Sequence, residues 1–136
     1  MMDRLKEYTI AATVVNLLLL LFVCGNVHAA TIPDRRAVNA IIGEAEGEGY
    51  DGMVAVACAI RNRGTLKGVY GEKAPRVVGR KYSKTVYNLA VKAWAASAKK
   101  DITNGATHWE GTKFRIPYWA KHMQVTLVVN HQRFYR

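Results

Sequence analysis

The chain has 136 residues, half of them hydrophobic, with 20 Lys and Arg against 10 Asp and Glu, a formal charge of +10 and a pI near 9.9. That length allows one compact domain at most, and a composition of 22% charged and 10% aromatic residues is too hydrophobic and too varied for a disordered basic tail. A chain this basic calls for an anionic partner: nucleic acid, a membrane surface or an anionic envelope polymer.

Residues 1–29 bear on that choice. Arg4 and Lys6 precede an apolar run from residue 9 to residue 24, with Leu17 to Leu21 unbroken, and Val27-His28-Ala29 forms a small-x-small cleavage pattern. This reads as a secretory signal peptide, with residues 30–136 as the mature domain. The alternative is a retained anchor, which normally needs about 20 apolar residues; this run is shorter and is interrupted by Asn16. A lipoprotein signal is disfavoured because Val23 precedes Cys24. Arg4 and Lys6 balance Asp3 and Glu7, so the whole +10 belongs to the mature domain. After cleavage Cys58 stands alone in the apolar run 54–60, which excludes an intramolecular disulfide and suits a small buried hydrophobe. The histidines are scattered without zinc-ligand spacing, so neither a metal nor a cofactor is expected.

Further along, Thr31 reads as an N-cap, Pro33 as a first-turn residue and Asp34 as the capping-box acid of a first helix. Val38, Ile41, Ile42 and Ala45 recur on one face, and Gly47 and Gly49 stop the helix. A second helix is predicted over 51–63, with Met53, Val56, Ala57 and Ile60 inward and Gly64 at its end. Residues 64–82 hold five glycines or prolines among many Lys and Arg, and read as a loop with a short element around Val77 and Val78. Ser83 caps a third helix reaching about Lys100, with Val86, Leu89, Ala90, Ala93, Trp94 and Ser97 inward. Past Asn104-Gly105, short strands are predicted over 106–109, 124–129 and 131–135. The result is a helix-dominated α+β single domain with a small antiparallel sheet near the C-terminus.

Charge is unevenly spread: +1 over residues 30–43, −4 over 44–60, +10 over 61–100 and +3 over 101–136. Glu44, Glu46, Glu48 and Asp51 crowd a glycine-flanked helix end, where they repel one another and meet an unfavourable dipole. Crowding and partial burial raise a carboxyl pKa, and a carboxylic acid protonated near neutral pH is what a general acid requires. Glu44 is best placed, about 110° around the helix from the apolar stripe and so at the border of core and cleft. Glu46 and Glu48 are expected to be wetter. The basic run 61–100 reads as a solvated face suited to anionic polymers.

At this point three motifs carry a resemblance. Glu44-Ala45-Glu46-Gly47-Glu48, then Gly52-Met53-Val54-Ala55-Val56-Ala57 and Arg61-Asn62-Arg63, resemble the leading motif of the SleB-type cell wall hydrolases, the spore-cortex-lytic group. That motif runs Glu-Ala-Arg-Gly-Glu, Gly-x-x-Ala-Val-Ala, Asn-Arg. Gly105-Ala106-Thr107-His108-Trp109 resembles the family's Gly-Ala-x-aromatic-aromatic strand, and Asn130-His131-Gln132-Arg133-Phe134-Tyr135 its terminal His-x-Phe-Tyr signature. Glu46 departs from the family's Arg, and residues 79–83 match its Gln-Phe-Ser element only loosely.

The resemblance implies a lysozyme-like fold, peptidoglycan as substrate and Glu44 as the catalytic acid, the residue that placement had already selected. It further implies a single-glutamate lytic transglycosylase. A muramidase using Glu44 with Glu48 or Asp51 competes, since glycosidases commonly set two carboxylates about 5 to 9.5 Å apart; Gly47 interrupts the helix that would pair Glu44 with Glu48. Candidate substrate contacts are Glu48, Thr107, His108, Trp109, Tyr118, Trp119, His131 and Tyr135, with His131 read as a structural hydrogen bonder rather than a base. A non-catalytic cationic wall-binding module remains a separate reading. Nucleic acid is disfavoured by the signal segment and the absence of a binding motif. A monomer is expected, touching membrane only through an uncleaved N-terminus.

Overall fold

The computed structural model describes residues 32–136, which belong to one unit, Thr31–Arg136. The signal-peptide reading and the Thr31 cap lie outside the described residues.

Helix α1 spans Asp34–Ala45, a 3-10 turn covers Glu46–Glu48, and α2 spans Gly49–Arg63. The two glycines divide these helices as expected, although α2 begins at Gly49 rather than Asp51, where Gly49 takes a left-handed φ of 66°. Pro33 stands at the N-cap of α1 without a side-chain cap bond. Asp34 is occupied differently from a capping-box acid: its carboxylate accepts the indole N–H of Trp94 at 2.7 Å. Gly64 closes α2 in the left-handed region at φ 67°, its N–H returning to the carbonyls of Ile60 and Arg61.

Residues 64–82 are more ordered than a loop reading allows. They hold a 3-10 turn, Gly71–Lys73, and a one-turn helix α3, Pro75–Val78, and they bury Leu66, Val69 and Val77. Helix α4, Lys84–Ser97, is capped by Ser83, whose hydroxyl accepts the Val86 N–H. It ends at Ser97, short of Lys100. Helices α1, α2 and α4 pack on one another around Ile41, Ile42, Met53, Val56, Ile60, Ala90, Ala93 and Trp94. Small residues along α2 (Ala55, Ala57, Cys58, Ala59) are wholly enclosed and let its neighbours approach on several sides. Cys58 is held there as a small apolar residue, burial pushing its thiol pKa up.

Strand β1, His108–Gly111, starts two residues later than the sequence pattern implies; β2 spans Val125–Val129 and β3 Gln132–Tyr135. They form an antiparallel sheet in the order β1-β3-β2. The chain reaches β1 through a knot of hydrogen bonds on Asp101, which accepts the Thr103 N–H and hydroxyl and the Gly105 N–H while Asn104 and Gly105 both adopt positive φ. Asn62 at the end of α2 donates to the same carboxylate and to the Ala106 carbonyl, tying the sheet to the helices.

The basic run is not simply a solvated face. The Arg61 guanidinium lies 3.6 Å over the Trp94 ring and donates to Ser97 Oγ and the Trp94 carbonyl. Arg63 donates to the carbonyls of Lys67 and Thr107. Both cations serve as clamps between α2 and the elements beside it.

Candidate active site

Glu44 lies in the last turn of α1, where the helix meets the glycine elbow. Its Oε1 accepts two backbone N–H groups, from Tyr70 at 3.1 Å and Gly71 at 2.7 Å, and its Oε2 accepts the Trp109 indole N–H at 3.2 Å. Its backbone carbonyl, one of the acceptors a helix end leaves open, takes the Gln132 amide N–H at 3.0 Å. Three separate elements therefore converge on this one residue: the 70–71 turn, β1 and β3.

Two cavities share Glu44 as a wall. One, of 300 Å³, is lined by Arg63, Gly68, Tyr70, His108, Trp109 and Trp119 as well as Glu44. The other, of 530 Å³, runs over Glu46, Gly47 and Glu48 to Pro75, Arg76 and Lys81.

Glu46 and Glu48 are partnered rather than wet. Glu46 pairs with Arg76, carried there by α3. The Glu48 carboxylate accepts the His131 backbone N–H at 2.8 Å, and its carbonyl accepts the Asn130 side-chain amide at 2.6 Å. Both are only about one-fifth exposed. Sequence spacing missed this because the partners come from segments 30 to 83 residues away. Asp51 stands exposed in the first turn of α2.

His108, Trp109 and Trp119 are brought together with Glu44. Thr107 lies behind them, its hydroxyl 2.9 Å from His108 Nδ1. Burial first, and the charge of Arg63 second, hold the His108 pKa below its ordinary value, so the ring is neutral at pH 7. With Nδ1 engaged by the Thr107 hydroxyl, Nε2 is the His108 ring nitrogen left for a ligand. Trp119 packs against His108 and edge-on against Tyr135, both at 5.4 Å between ring centres. Tyr135 itself is 1% exposed and donates its hydroxyl to Glu110, burial and that bond pushing its pKa up to about 12. Its ring backs the cleft through Trp119. Tyr118 and the His131 side chain are exposed and line neither cavity.

Sequence reasoning missed Tyr70, Gly71, Arg63 and Gln132. Gly71 left a signal as one of the glycines in 64–82, and Arg63 and Gln132 stood inside quoted motifs without being given a role; Tyr70 left none. A Cβ on Gly71 would lie 2.3 Å from the Ala40 carbonyl oxygen and 2.7 Å from Glu44 Cγ. Among the described residues no group of three or more His, Cys, Asp or Glu could hold a metal ion, and no helix is long and apolar enough to cross a membrane.

Two solved structures share this fold. The catalytic domain of the germination-specific lytic transglycosylase SleB from Bacillus anthracis aligns with a TM-score of 0.58 at 26% identity, over 76% of this chain and 93% of that domain. The catalytic domain of the Bacillus cereus SleB protein aligns with a TM-score of 0.53 at 24% identity, over 76% of this chain and 88% of that one. No family model and no curated protein matches the chain. The resemblance to SleB-type domains and the helix-dominated α+β fold expected from the sequence are both borne out.

Proposed function

We propose that this chain is a peptidoglycan-cleaving enzyme of the cell envelope, a lytic transglycosylase that cuts the MurNAc–GlcNAc bond with Glu44 as its single catalytic glutamate. Similarity to the SleB domains supports a glycan-strand-cleaving activity. The observation that favours a single glutamate is how the two oxygens of Glu44 are occupied. Oε1 has both acceptor positions filled by backbone N–H groups, whereas Oε2 carries only the Trp109 bond and keeps one position for a proton. Of the other acids in the 530 Å³ cavity, Glu46 pairs with Arg76, and Glu48 accepts the His131 N–H on its carboxylate and the Asn130 amide on its backbone carbonyl, which favours structural roles for both over activating a water.

Glu44 protonates the glycosidic oxygen as the bond from muramic C1 to that oxygen breaks, and the GlcNAc-bearing strand leaves as the alcohol. The carboxylate then takes the proton of the muramic 6-hydroxyl while its oxygen bonds to C1. The product is a 1,6-anhydro end, and Glu44 recovers its proton without consuming water. Trp109 and Trp119 offer aromatic faces to the sugar rings, and Nε2 of His108 offers a hydrogen-bonding partner to a sugar hydroxyl. Residues 1–29 support export by Arg4 and Lys6 ahead of an apolar run and by their Val-x-Ala end. One copy supplies every residue of the cleft, so a monomer suffices.

The deciding measurement is mass spectrometry of the fragments released from purified peptidoglycan. Anhydromuramic ends are expected, and reducing ends would assign a hydrolase instead. Glu44→Gln should abolish release while leaving the protein folded and wall-bound; a Gln variant that still clears walls refutes the assignment of Glu44.

A further inference from the structure

Beyond the cleft lies a third depression, of 390 Å³, that the reaction does not use. It is lined by Arg36, Thr65, Lys67, Tyr70, Glu72 and Lys73, among others. Gly68 and Tyr70 wall both this depression and the aromatic cavity beside Glu44, so the two are separated by a single ridge of chain. Tyr70 is 72% exposed on that ridge while its backbone N–H points back to Glu44.

The charges are sorted along this line. The cavity on the far side of Glu44 holds three acids (Glu44, Glu46, Glu48) against Arg76 and Lys81. The depression past Tyr70 holds three cations, Arg36, Lys67 and Lys73, against one acid, Glu72. Glu72 is already taken in a two-pronged bond from Arg36, at 2.9 and 2.6 Å. Among the described residues neither Lys67 nor Lys73 forms a salt bridge within 4.0 Å. The Lys67 backbone is fixed by the Arg63 guanidinium on its carbonyl and by the Thr65 hydroxyl on its N–H, so the lysine is presented from an anchored turn.

A glycan strand has no charge of its own to satisfy two unpaired lysines one ridge away from the scissile bond. The peptide stems on its muramic residues do, because each carries free carboxylates and projects sideways from the strand. We propose that the 65–73 depression is a shelf for the carboxylates of the peptide stem, making the stem-bearing muramic residue the preferred substrate. This rests on the peptidoglycan reading above and deepens it by naming the substituent recognised.

The test compares teichoic-acid-free glycan strands with intact stems against the same strands stripped by an amidase and then capped as methyl amides on the lactyl carboxylates that amidase frees, reading both sedimentation binding and fragment release. Wild-type protein is expected to favour stem-bearing strands. Replacing both lysines (Lys67→Ala with Lys73→Ala) should lower the stem-bearing to stripped ratio about five- to tenfold, the scale of two exposed charge pairs, and Lys67→Glu with Lys73→Glu should lower it further. Stem-selective binding without release would uphold the shelf while refuting the enzymatic reading. Equal binding of both strands by the wild type, or an unchanged ratio in the double variants, overturns the shelf. So does a preference that returns only when teichoic acid is left on the wall.

Discussion

Gly43 of α1 and Gly71 of the following turn meet backbone to backbone: a Cβ built on Gly43 would lie 1.9 Å from the Gly71 carbonyl oxygen. That contact is what carries the Gly71 N–H to within 2.7 Å of Glu44 Oε1. Neither glycine has a positive φ, so the requirement is for space and not for backbone freedom. Gly71→Ala should therefore push the turn off α1, costing about 1–3 kcal/mol from overpacking. Activity is expected to fall further than stability alone accounts for, because the donors to Oε1 move with the turn. Thermal melting and fragment release measured on the same preparation separate the two losses.

Gln132 reaches the same glutamate from the opposite side. Its amide donates to the Glu44 carbonyl while its own Oε1 is buried without a partner among the described residues. Gln132→Ala removes the only side-chain donor on that helix-end carbonyl and should destabilise the fold by about 1–2 kcal/mol. The kcat for fragment release should drop with little change in KM, since the strand-contacting surfaces of Trp109 and Trp119 stay in place. A variant in which KM rises and kcat holds would place Gln132 in substrate binding instead.

How much of this was legible in the sequence depended on the range of the interaction. The helices α1, α2 and α4 were readable from apolar spacing, and the elbow from Gly47 and Gly49, because each signal is confined to a few neighbouring residues. Glu44 was readable for the same reason, standing at the edge of a stripe beside a glycine break. What surrounds it was not. Tyr70, Trp109 and Gln132 lie 26, 65 and 88 residues away, and no local pattern tells which distant N–H will close on a given carboxylate. The segment 64–82 looked like loop since its glycines and prolines dominate its propensity, yet Leu66, Val69 and Val77 dock it on the core. Arg61 and Arg63 looked solvated because charge counting cannot see an indole face or a carbonyl waiting across the fold.

Among the described residues Asp101, His108 and Glu72 are held below their ordinary pKa, Glu72 by the hydrogen bond from Arg36, so acid costs the fold stability through all three. Burial opposes the charge on Asp101, but hydrogen bonds from the Thr103 side chain and N–H, the Gly105 N–H and Asn62 outweigh it and bring the pKa down to about 2. A folded-state value below the unfolded one means the unfolded chain binds the extra proton first. The stability that Asp101 contributes is therefore full above its ordinary value of 3.8 and is lost as the pH falls from there toward 2. His108 acts in the same direction one step earlier, since its folded value lies below 6.5 and acidification through that range favours the unfolded chain. Melting temperature followed against pH should show both declines. Asp101→Asn should shrink the lower one, leaving the share that Glu72 contributes, and His108→Gln should flatten the upper one.

Trp109 combines two roles that one substitution can divide. Its ring lines the cavity beside Glu44, with the Arg63 guanidinium 5.9 Å from its centre, while its N–H holds Glu44 Oε2 at 3.2 Å. Trp109→Phe keeps an aromatic face on β1 but removes the donor, so Glu44 Oε2, the oxygen proposed to exchange the proton, loses the indole bond that holds it. A single lost hydrogen bond to a carboxylate is worth about 1.5–3 kcal/mol, which corresponds to a fall of roughly ten- to a hundredfold in kcat. Binding of strands to the variant should change much less, because the sugar-facing surface remains. Trp109→Ala removes both ring and donor and should lose binding as well. Steady-state kinetics beside sedimentation binding distinguish these outcomes, and a Phe variant with wild-type kcat would show that the indole N–H takes no part in positioning the acid.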